Sequence, residues 1–204
     1  FIELVTAWDV EKRHWAYFTP SDCEFGYRDS VFKQTPGRWF ITEVSFLMPK
    51  KWHPVTHYAP LNELPEPVTA QAIFDKVIET RRQKLPDPTV TPNAGSFFKN
   101  PVVSIEHLKV LESKLPGVVS YPVSDSSVKL AAGWLIDNLG LKSLSVGNVG
   151  VNPKQALVLV NKGQAQGAEL LALAQEIQDR VYDVTGVELE PEVRLVGAQG
   201  LINL

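Results

Sequence analysis

The stretch TAQAIFDKVIETRRQKLPDP, Thr69 to Pro88, decides both the fold class and the division of the chain. Ala70, Ile73, Phe74, Val77 and Ile78 recur at the i, i+3, i+4 spacing of an amphipathic helix over Thr69–Lys84. Thr69 suits the N-cap, and Arg81, Arg82 and Lys84 suit the negative C-terminal end. Pro86 and Pro88 stop the helix, because proline lacks the N–H that a continuing turn requires. Residues 87–92 then form a linker and the expected domain boundary.

Working outward, the N-terminal side is rich in strand patterns. Residues 1–6 and 14–18 alternate as two strands joined by a polar link at 9–12, and residues 38–48 form a longer strand. Residues 21–33 are turn-rich with room for a short helix. Pro49, Pro54, Pro60, Pro65 and Pro67 mark an exposed loop. On the C-terminal side, helices are expected over 104–115, 128–139 and 168–185. Gly140 and Gly186 sit where a left-handed closing residue is wanted. Gln155–Asn161 is a buried-strand run, and Val187–Val196 a closing strand. Helices and strands interleave, so the class is α+β or α/β.

Composition bounds the function. The chain has 204 residues, 44% hydrophobic and 21% charged, with net charge -3. That balance suits a globular protein of one large or two small domains and argues against a nucleic-acid surface. No apolar run approaches the roughly 20 residues that span a bilayer, and no signal-peptide pattern opens the chain. A single cysteine, Cys23, fits a reducing compartment and a structural role beside a turn rather than a reactive thiol. The chain opens in strand-like sequence and its one methionine is Met48. It is therefore expected to be a fragment, or the ordered part of something longer.

Four clusters could carry chemistry. In FGYRDS, Phe25–Ser30, Arg28 beside Tyr27 could grip a carboxylate with two hydrogen bonds, or simply stack on Tyr27 at the surface. In NAGSFFKNP, Asn93–Pro101, Gly95 permits close approach to the backbone and Ser96 could supply a proton to a developing carbanion. Phe97 and Phe98 would then form an apolar wall; alternatively the segment is a glycine turn feeding a strand. In ELEPEVR, Glu188–Arg194, Glu188, Glu190 and Glu192 would share one strand face, either exposed or poised against a substrate carboxylate. Finally, Arg81–Lys84 together with Tyr58 could hold a nucleotide diphosphate, or cap the helix in solvent. The glycine-rich nucleotide motifs and metal-ligand spacings are missing; His14, His53, His57 and His107 show no metal pattern. Gly147-Asn148-Val149-Gly150 reads as a turn.

The order of these clusters is more specific than any one of them. FGYRDSVFK (Phe25–Lys33), KLPDP (Lys84–Pro88), NAGSFFKNP (Asn93–Pro101), KLAAGWLID (Lys129–Asp137) and LEPEVR (Leu189–Arg194) resemble, in sequence, the motifs of the UDP-N-acetylenolpyruvoylglucosamine reductase family. The resemblance covers nearly the whole chain. It implies an oxidoreductase of the bacterial cytoplasm in which FAD, reduced by NADPH, passes hydride to the double bond of UDP-N-acetylglucosamine enolpyruvate. The product, UDP-N-acetylmuramate, feeds peptidoglycan synthesis and so the cell wall, cell shape and division.

By residue, the resemblance implies Ser96 as proton donor, with Arg28 and Glu192 polarising the substrate carboxylate and Tyr27 orienting Arg28. Tyr58, Lys84 and Asn100 would hold the UDP pyrophosphate. Gln155 would lie near the carboxylate, and Lys142 would add positive potential. No metal, nucleic acid or membrane partner is implied. Thr56-His57-Tyr58 is similar to the loop of the subtype that closes a tyrosine over the substrate.

The implied architecture is α+β. Residues 1–86 are the latter half of a flavin-binding domain, 87–186 a smaller α/β substrate-binding domain, and 187–204 a strand returning to the flavin domain. The glycine-rich flavin-binding region of the family is not in this sequence. The chain alone is therefore expected to bind FAD poorly, to turn over little, and to expose apolar surface. A UDP-sugar-binding module without catalysis is the competing reading, followed by a related flavin oxidase.

Overall fold

Alternating apolar residues at the start of the chain make a hairpin whose turn is closed by its own aspartate. In a computed structural model describing residues 1–204, β1 (Ile2–Asp9) and β2 (His14–Phe18) pair antiparallel, with Asp9 opposite His14. Asp9 is fully buried, and one carboxylate oxygen accepts the backbone N–H groups of Glu11 and Lys12 at 3.0 and 2.9 Å. Its other oxygen meets Arg38 Nη2 at 2.9 Å, so the charge is both paired and hydrogen-bonded, as a buried carboxylate requires. The polar link seen in the sequence is thus the turn itself. After a short helix α1 (Val31–Gln34), β3 (Trp39–Phe46) adds to the other edge of β1. The sheet order is β2-β1-β3. Phe18 packs edge-on against Phe32 and Trp39, each with ring centroids 4.9 Å apart. Trp15, Tyr17, Phe40 and Phe46 remain exposed.

Packing divides the chain into two compact units, Phe1–Val55 and Thr56–Leu204. The proline-rich segment spans the division, with Pro49 and Pro54 in the first unit and Pro60, Pro65 and Pro67 in the second, where Leu61–Glu63 form a single 3-10 turn. Helix α2 (Ala70–Lys84) follows, and the Thr69 side chain accepts from the Ala72 N–H, the expected N-cap. This unit therefore includes α2, which the sequence reading assigns to the first domain. The expected division after residue 86 falls at a different place, beyond the end of α2.

Within the second unit, β4 (Asn93–Ser96) is the edge of a sheet ordered β4-β10-β9-β8. β5 (Val102–Ser104) leads into α3 (Ile105–Lys114), capped by Ser104. β6 (Ser120–Pro122) and β7 (Ser127–Leu130) complete a second sheet, ordered β5-β7-β6. Helix α4 covers Ala132–Asn138. The helix expected over 128–139 is therefore half right. Val128 and Leu130 are buried while Lys129 between them is half-buried, and β7 bonds strands on both sides.

β8 (Ser145–Val146), β9 (Val149–Asn152) and β10 (Gln155–Asn161) follow, then α5 (Gly167–Thr185). Gly140 and Gly186 adopt the left-handed conformation, with φ of +72° and +67°. α5 buries Leu173, Ala174, Ile177 and Val181 on one stripe, against a core that includes Phe98, Leu111, Leu130, Leu135 and Ile136. A hairpin of β11 (Leu195–Gly197) and β12 (Gly200–Ile202) ends the chain.

The expected closing strand from Val187 is instead an extended segment with one bridge, Phe98 to Pro191. Proline has no N–H to continue a ladder. All strand pairs named here are antiparallel, so of the two classes left open the fold is α+β.

Candidate functional site

The NAGSFF segment is shaped by one surplus residue. Ser96 pairs with Val158 and Asn93 with Val160, so three steps on β4 match two on β10. That is a β-bulge, and Gly95 supplies its left-handed residue at φ +74°. The Asn93 side chain fixes the turn by accepting the Gly95 N–H at 3.0 Å and donating to the Thr91 carbonyl at 2.9 Å. Ser96 is left exposed on an edge strand, open to water. Phe97 and Phe98 do not form an apolar wall beside it. They are 3% and 1% exposed, stacked edge-to-face in the core.

The acidic segment runs antiparallel beside this one. Glu192 N–H donates to the Phe97 carbonyl at 2.7 Å, and Lys99 N–H to the Glu190 carbonyl at 2.8 Å. Glu192 is half-buried and lies across from the residue after Ser96. Glu188 and Glu190 are exposed, alternating with buried Val187 and Leu189. Lys99 Nζ meets Glu190 Oε2 at 2.7 Å, which supplies the positive partner the repeated glutamates need.

A separate cleft of about 320 Å³ gathers Tyr58, Arg81, Lys84 and Gln155, with Leu61 and Thr80 between them. Thr80, Arg81 and Lys84 share a face of α2 at i, i+1 and i+4. The backbone end of a helix C-terminus repels anions, so any attraction here for a phosphate must come from these two cations. Tyr58 is 72% exposed at the rim. Gln155, at the start of β10, also lines it. Asn100 is not among the residues lining the cleft, but its Oδ1 accepts the N–H of Ala132 at 3.0 Å, and Ala132 adjoins Gly133, which abuts Gln155. Lys142 Nζ lies 2.6 Å from Asp137, whose charge offsets its own.

Tyr27 and Arg28 belong to the first unit. They sit exposed in a tight turn bridged from Gly26 to Asp29, with Arg28 at φ +57°. The turn is held by Lys33 Nζ, which donates to the Arg28 carbonyl at 2.7 Å. Cys23 is buried close by. Burial, with the charge of Asp22, pushes its thiol up, so it is no ready nucleophile.

Gly147-Asn148-Val149-Gly150 forms the β8–β9 turn, with Glu169 Oε1 accepting the Asn148 N–H at 3.2 Å. A carboxylate in that position disfavours phosphate. No group of His, Cys, Asp and Glu side chains is arranged to hold a metal, and no helix is long and apolar enough to cross a membrane.

A family model described as UDP-N-acetylenolpyruvoylglucosamine reductase, C-terminal domain, matches residues 87–196, more than half of the chain. The chain belongs to this reductase family. Its relatives include the UDP-N-acetylenolpyruvoylglucosamine reductase of Idiomarina loihiensis, 59% identical over 204 residues that make up 100% of this chain and 61% of the relative. The reductase of Escherichia coli K12 is 46% identical over 204 residues, 99% of this chain and 58% of the relative. The chain thus spans well under two thirds of the length of these reductases.

The crystal structure of the UDP-N-acetylenolpyruvylglucosamine reductase from Thermus caldophilus superposes with a TM-score of 0.58. It is 24% identical in sequence and covers 94% of this chain and 51% of its own, a likeness of fold. The segment matched to the reductase C-terminal domain contains Ser96, Asn100, Lys142, Gln155 and Glu192. Tyr27, Arg28, Tyr58 and Lys84 precede it.

One feature of the site had no signal in the sequence reading. Gly133, inside the KLAAGWLID motif, abuts the Gln155 carboxamide.

Proposed function

We propose that this chain forms the substrate-binding and protonation part of a reductase converting UDP-N-acetylglucosamine enolpyruvate to UDP-N-acetylmuramate. The whole protein would use FAD and NADPH in bacterial peptidoglycan synthesis, in the cytoplasm. The cleft that joins Tyr58, Arg81 and Lys84 to Gln155 carries this reading. Two cations and a stacking aromatic suit a nucleotide diphosphate, and a carboxamide in the same cleft suits the sugar's acidic side chain. Tyr58 at the rim would close over the bound nucleotide.

The residues present do not by themselves fit a flavin dinucleotide. Gly26 and Gly37 are the only glycines of the first unit, each in an isolated turn, and neither opens a helix of useful length. Residues 1–86 are read as the latter half of a flavin-binding domain, 87–186 as the substrate-binding domain, and 187–204 as its return. The chain alone is then expected to bind FAD weakly and turn over little.

The chemistry left to this chain is proton delivery. Once one carbon of the double bond is reduced, negative charge collects on the carbon bearing the carboxylate and spreads into it. Ser96 would give its hydroxyl proton to that carbon. Its alkoxide is a strong base and must be reprotonated at once; exposure on the edge strand lets water do this. Arg28, oriented by Tyr27, would offset the carboxylate charge. Glu192 would assist only when its carboxyl carries a proton in the complex. Asn100 would help hold the pyrophosphate, and Lys142, its charge met by Asp137, would contribute only a weak local field.

The test is Ser96→Ala in the complete protein. NADPH consumption in the half-reaction without substrate, and affinity for UDP-N-acetylmuramate, should be unchanged, while reduction of the enolpyruvyl substrate falls by roughly 10²–10⁴-fold. Unaltered substrate reduction would remove Ser96 from the proton path. Binding of the UDP-sugar by a complete protein that never oxidises NADPH would favour the non-catalytic module.

A further inference from the structure

Gly133 is the second residue of α4, and its conformation does not explain it. Its φ is negative, so a side chain is permitted there. Glycine is the poorest helix former after proline, and alanine, which fills positions 131 and 132, is the best. What stands in the way of a side chain is the neighbouring strand. A Cβ on residue 133 would lie 3.3 Å from Gln155 Oε1, 3.3 Å from Leu157 Cγ and 3.6 Å from Leu157 Cδ1. Contacts at 3.3 Å are tight enough that a neighbour must yield by a few tenths of an ångström.

Leu157 is half-buried against the core, so the yielding partner is the polar end of Gln155. That end is otherwise only loosely held, with the Leu157 N–H 3.5 Å from Oε1. Helix α4 is itself pinned at its start, where Asn100 accepts the Ala132 N–H. The bare Cα of Gly133 is thus a fixed seat for the carboxamide that lines the cleft with Tyr58, Arg81 and Lys84.

We propose that Gly133 is a positioning and specificity-determining residue: it sets where the Gln155 carboxamide sits, and so how the site grips the carboxylate of its UDP-sugar. This rests on the reading that Gln155 faces that carboxylate. Two ligands separate the effect from general damage. UDP-N-acetylmuramate carries the carboxylate, and UDP-N-acetylglucosamine lacks it.

The experiment measures affinity for both by calorimetry on the complete protein, for Gly133→Ala, Gln155→Ala and the double variant. Gly133→Ala should weaken UDP-N-acetylmuramate roughly tenfold, leave UDP-N-acetylglucosamine within about twofold, and keep or raise the melting temperature. On the Gln155→Ala background, Gly133→Ala should do nothing further. If Gln155→Ala binds UDP-N-acetylmuramate normally, the role of Gln155 is wrong and the proposal falls with it. If Gln155→Ala is weakened but Gly133→Ala is normal, or is equally damaging without Gln155, Gly133 does not act through that carboxamide. Should Gly133→Ala not fold, Gly133→Ala with Leu157→Ala relieves the leucine contact and leaves the one to Gln155. Equal loss of both ligands in that pair overturns the proposal.

Discussion

Glu192 donates its backbone N–H to the carbonyl of Phe97 across 2.7 Å, which ties the acidic segment to the residue beside Ser96. Together with the Lys99 N–H to the Glu190 carbonyl at 2.8 Å, this bond sets two candidate catalytic residues on paired backbone segments rather than on two independent loops. The side chain and the main chain of Glu192 can be tested apart. Glu192→Gln keeps the N–H, so its melting temperature should match that of the parent while substrate reduction falls about 10²–10³-fold. Glu192→Pro removes the donor and should lower the melting temperature as well. A Glu192→Gln variant with full turnover would show that the carboxyl is not needed.

Lys84 stands in the cleft with Arg81, close to the helix end that repels anions. Lys84→Ala should weaken UDP-N-acetylmuramate about tenfold in low salt, because a charge-assisted hydrogen bond to phosphate is lost. The gap should narrow as ionic strength rises, since exposed charges are screened. Calorimetry at two salt concentrations checks this. A loss independent of salt would point to a packing role for the lysine stem instead.

Gly95 occupies the left-handed position of the bulge, and a Cβ there would meet nothing within 4 Å. The penalty for a side chain is then backbone strain alone. Gly95→Val should lower stability by about 1–2 kcal/mol, while Gly95→Asn, which tolerates this conformation, should lose distinctly less. Thermal unfolding of both variants measures the difference. Equal losses would mean that crowding rather than backbone conformation dictates glycine.

Asp9 gives a pH dependence of defined sign. Burial acts to raise its carboxyl, but the hydrogen bonds from the Lys12 backbone and from Arg38 outweigh it and hold the pKa below the ordinary 3.8. The folded form therefore binds that proton less readily than the unfolded chain. The stability this contributes is complete above 3.8 and is lost as pH falls through the lower, folded value. Chemical unfolding followed by tryptophan fluorescence reports on this region, because Trp8, Trp15, Trp39 and Trp52 all lie in the first unit. Asp9→Asn should be less stable at neutral pH and should lose the acid-side decline below 3.8. An unchanged decline would assign it to other carboxylates.

The elements whose cause is local were legible from sequence. Thr69 caps α2, the prolines end it, and Gly140 and Gly186 close their helices in the left-handed form, because neighbours in the chain decide each of these. The strand at Ser127–Leu130 was not legible. Its partners are Val102–Ser104 and Ser120–Pro122, and a four-residue alternation beside a true helix carries no mark of them. Phe97 and Phe98 misled for a similar reason. Adjacent side chains of a regular strand face opposite ways, so their shared burial depends on where the strand ends and the core begins.

Of the candidate site, the union of Tyr58 with Arg81 and Lys84 followed from the pairing of an aromatic loop with a basic helix end. The place of Gln155 came only from the family resemblance. Gly133 gave no signal because its reason lies on a strand more than twenty residues further along the chain.

The surplus residue in β4 has a consequence for parity. Counted along a regular strand, Asn93 and Ser96 are an odd number of steps apart and would face opposite ways. Paired with Val160 and Val158, which are two steps apart, they share a side. The orientation of the serine is thus an arithmetic property of the segment rather than of the serine itself. Removing one residue between Asn93 and Ser96 would leave two steps facing two, so the hydroxyl would keep its side and only the bulge with its left-handed glycine would vanish. A single-residue deletion here accordingly separates the role of the kink from that of the serine, since it straightens the strand without changing which residue the serine faces.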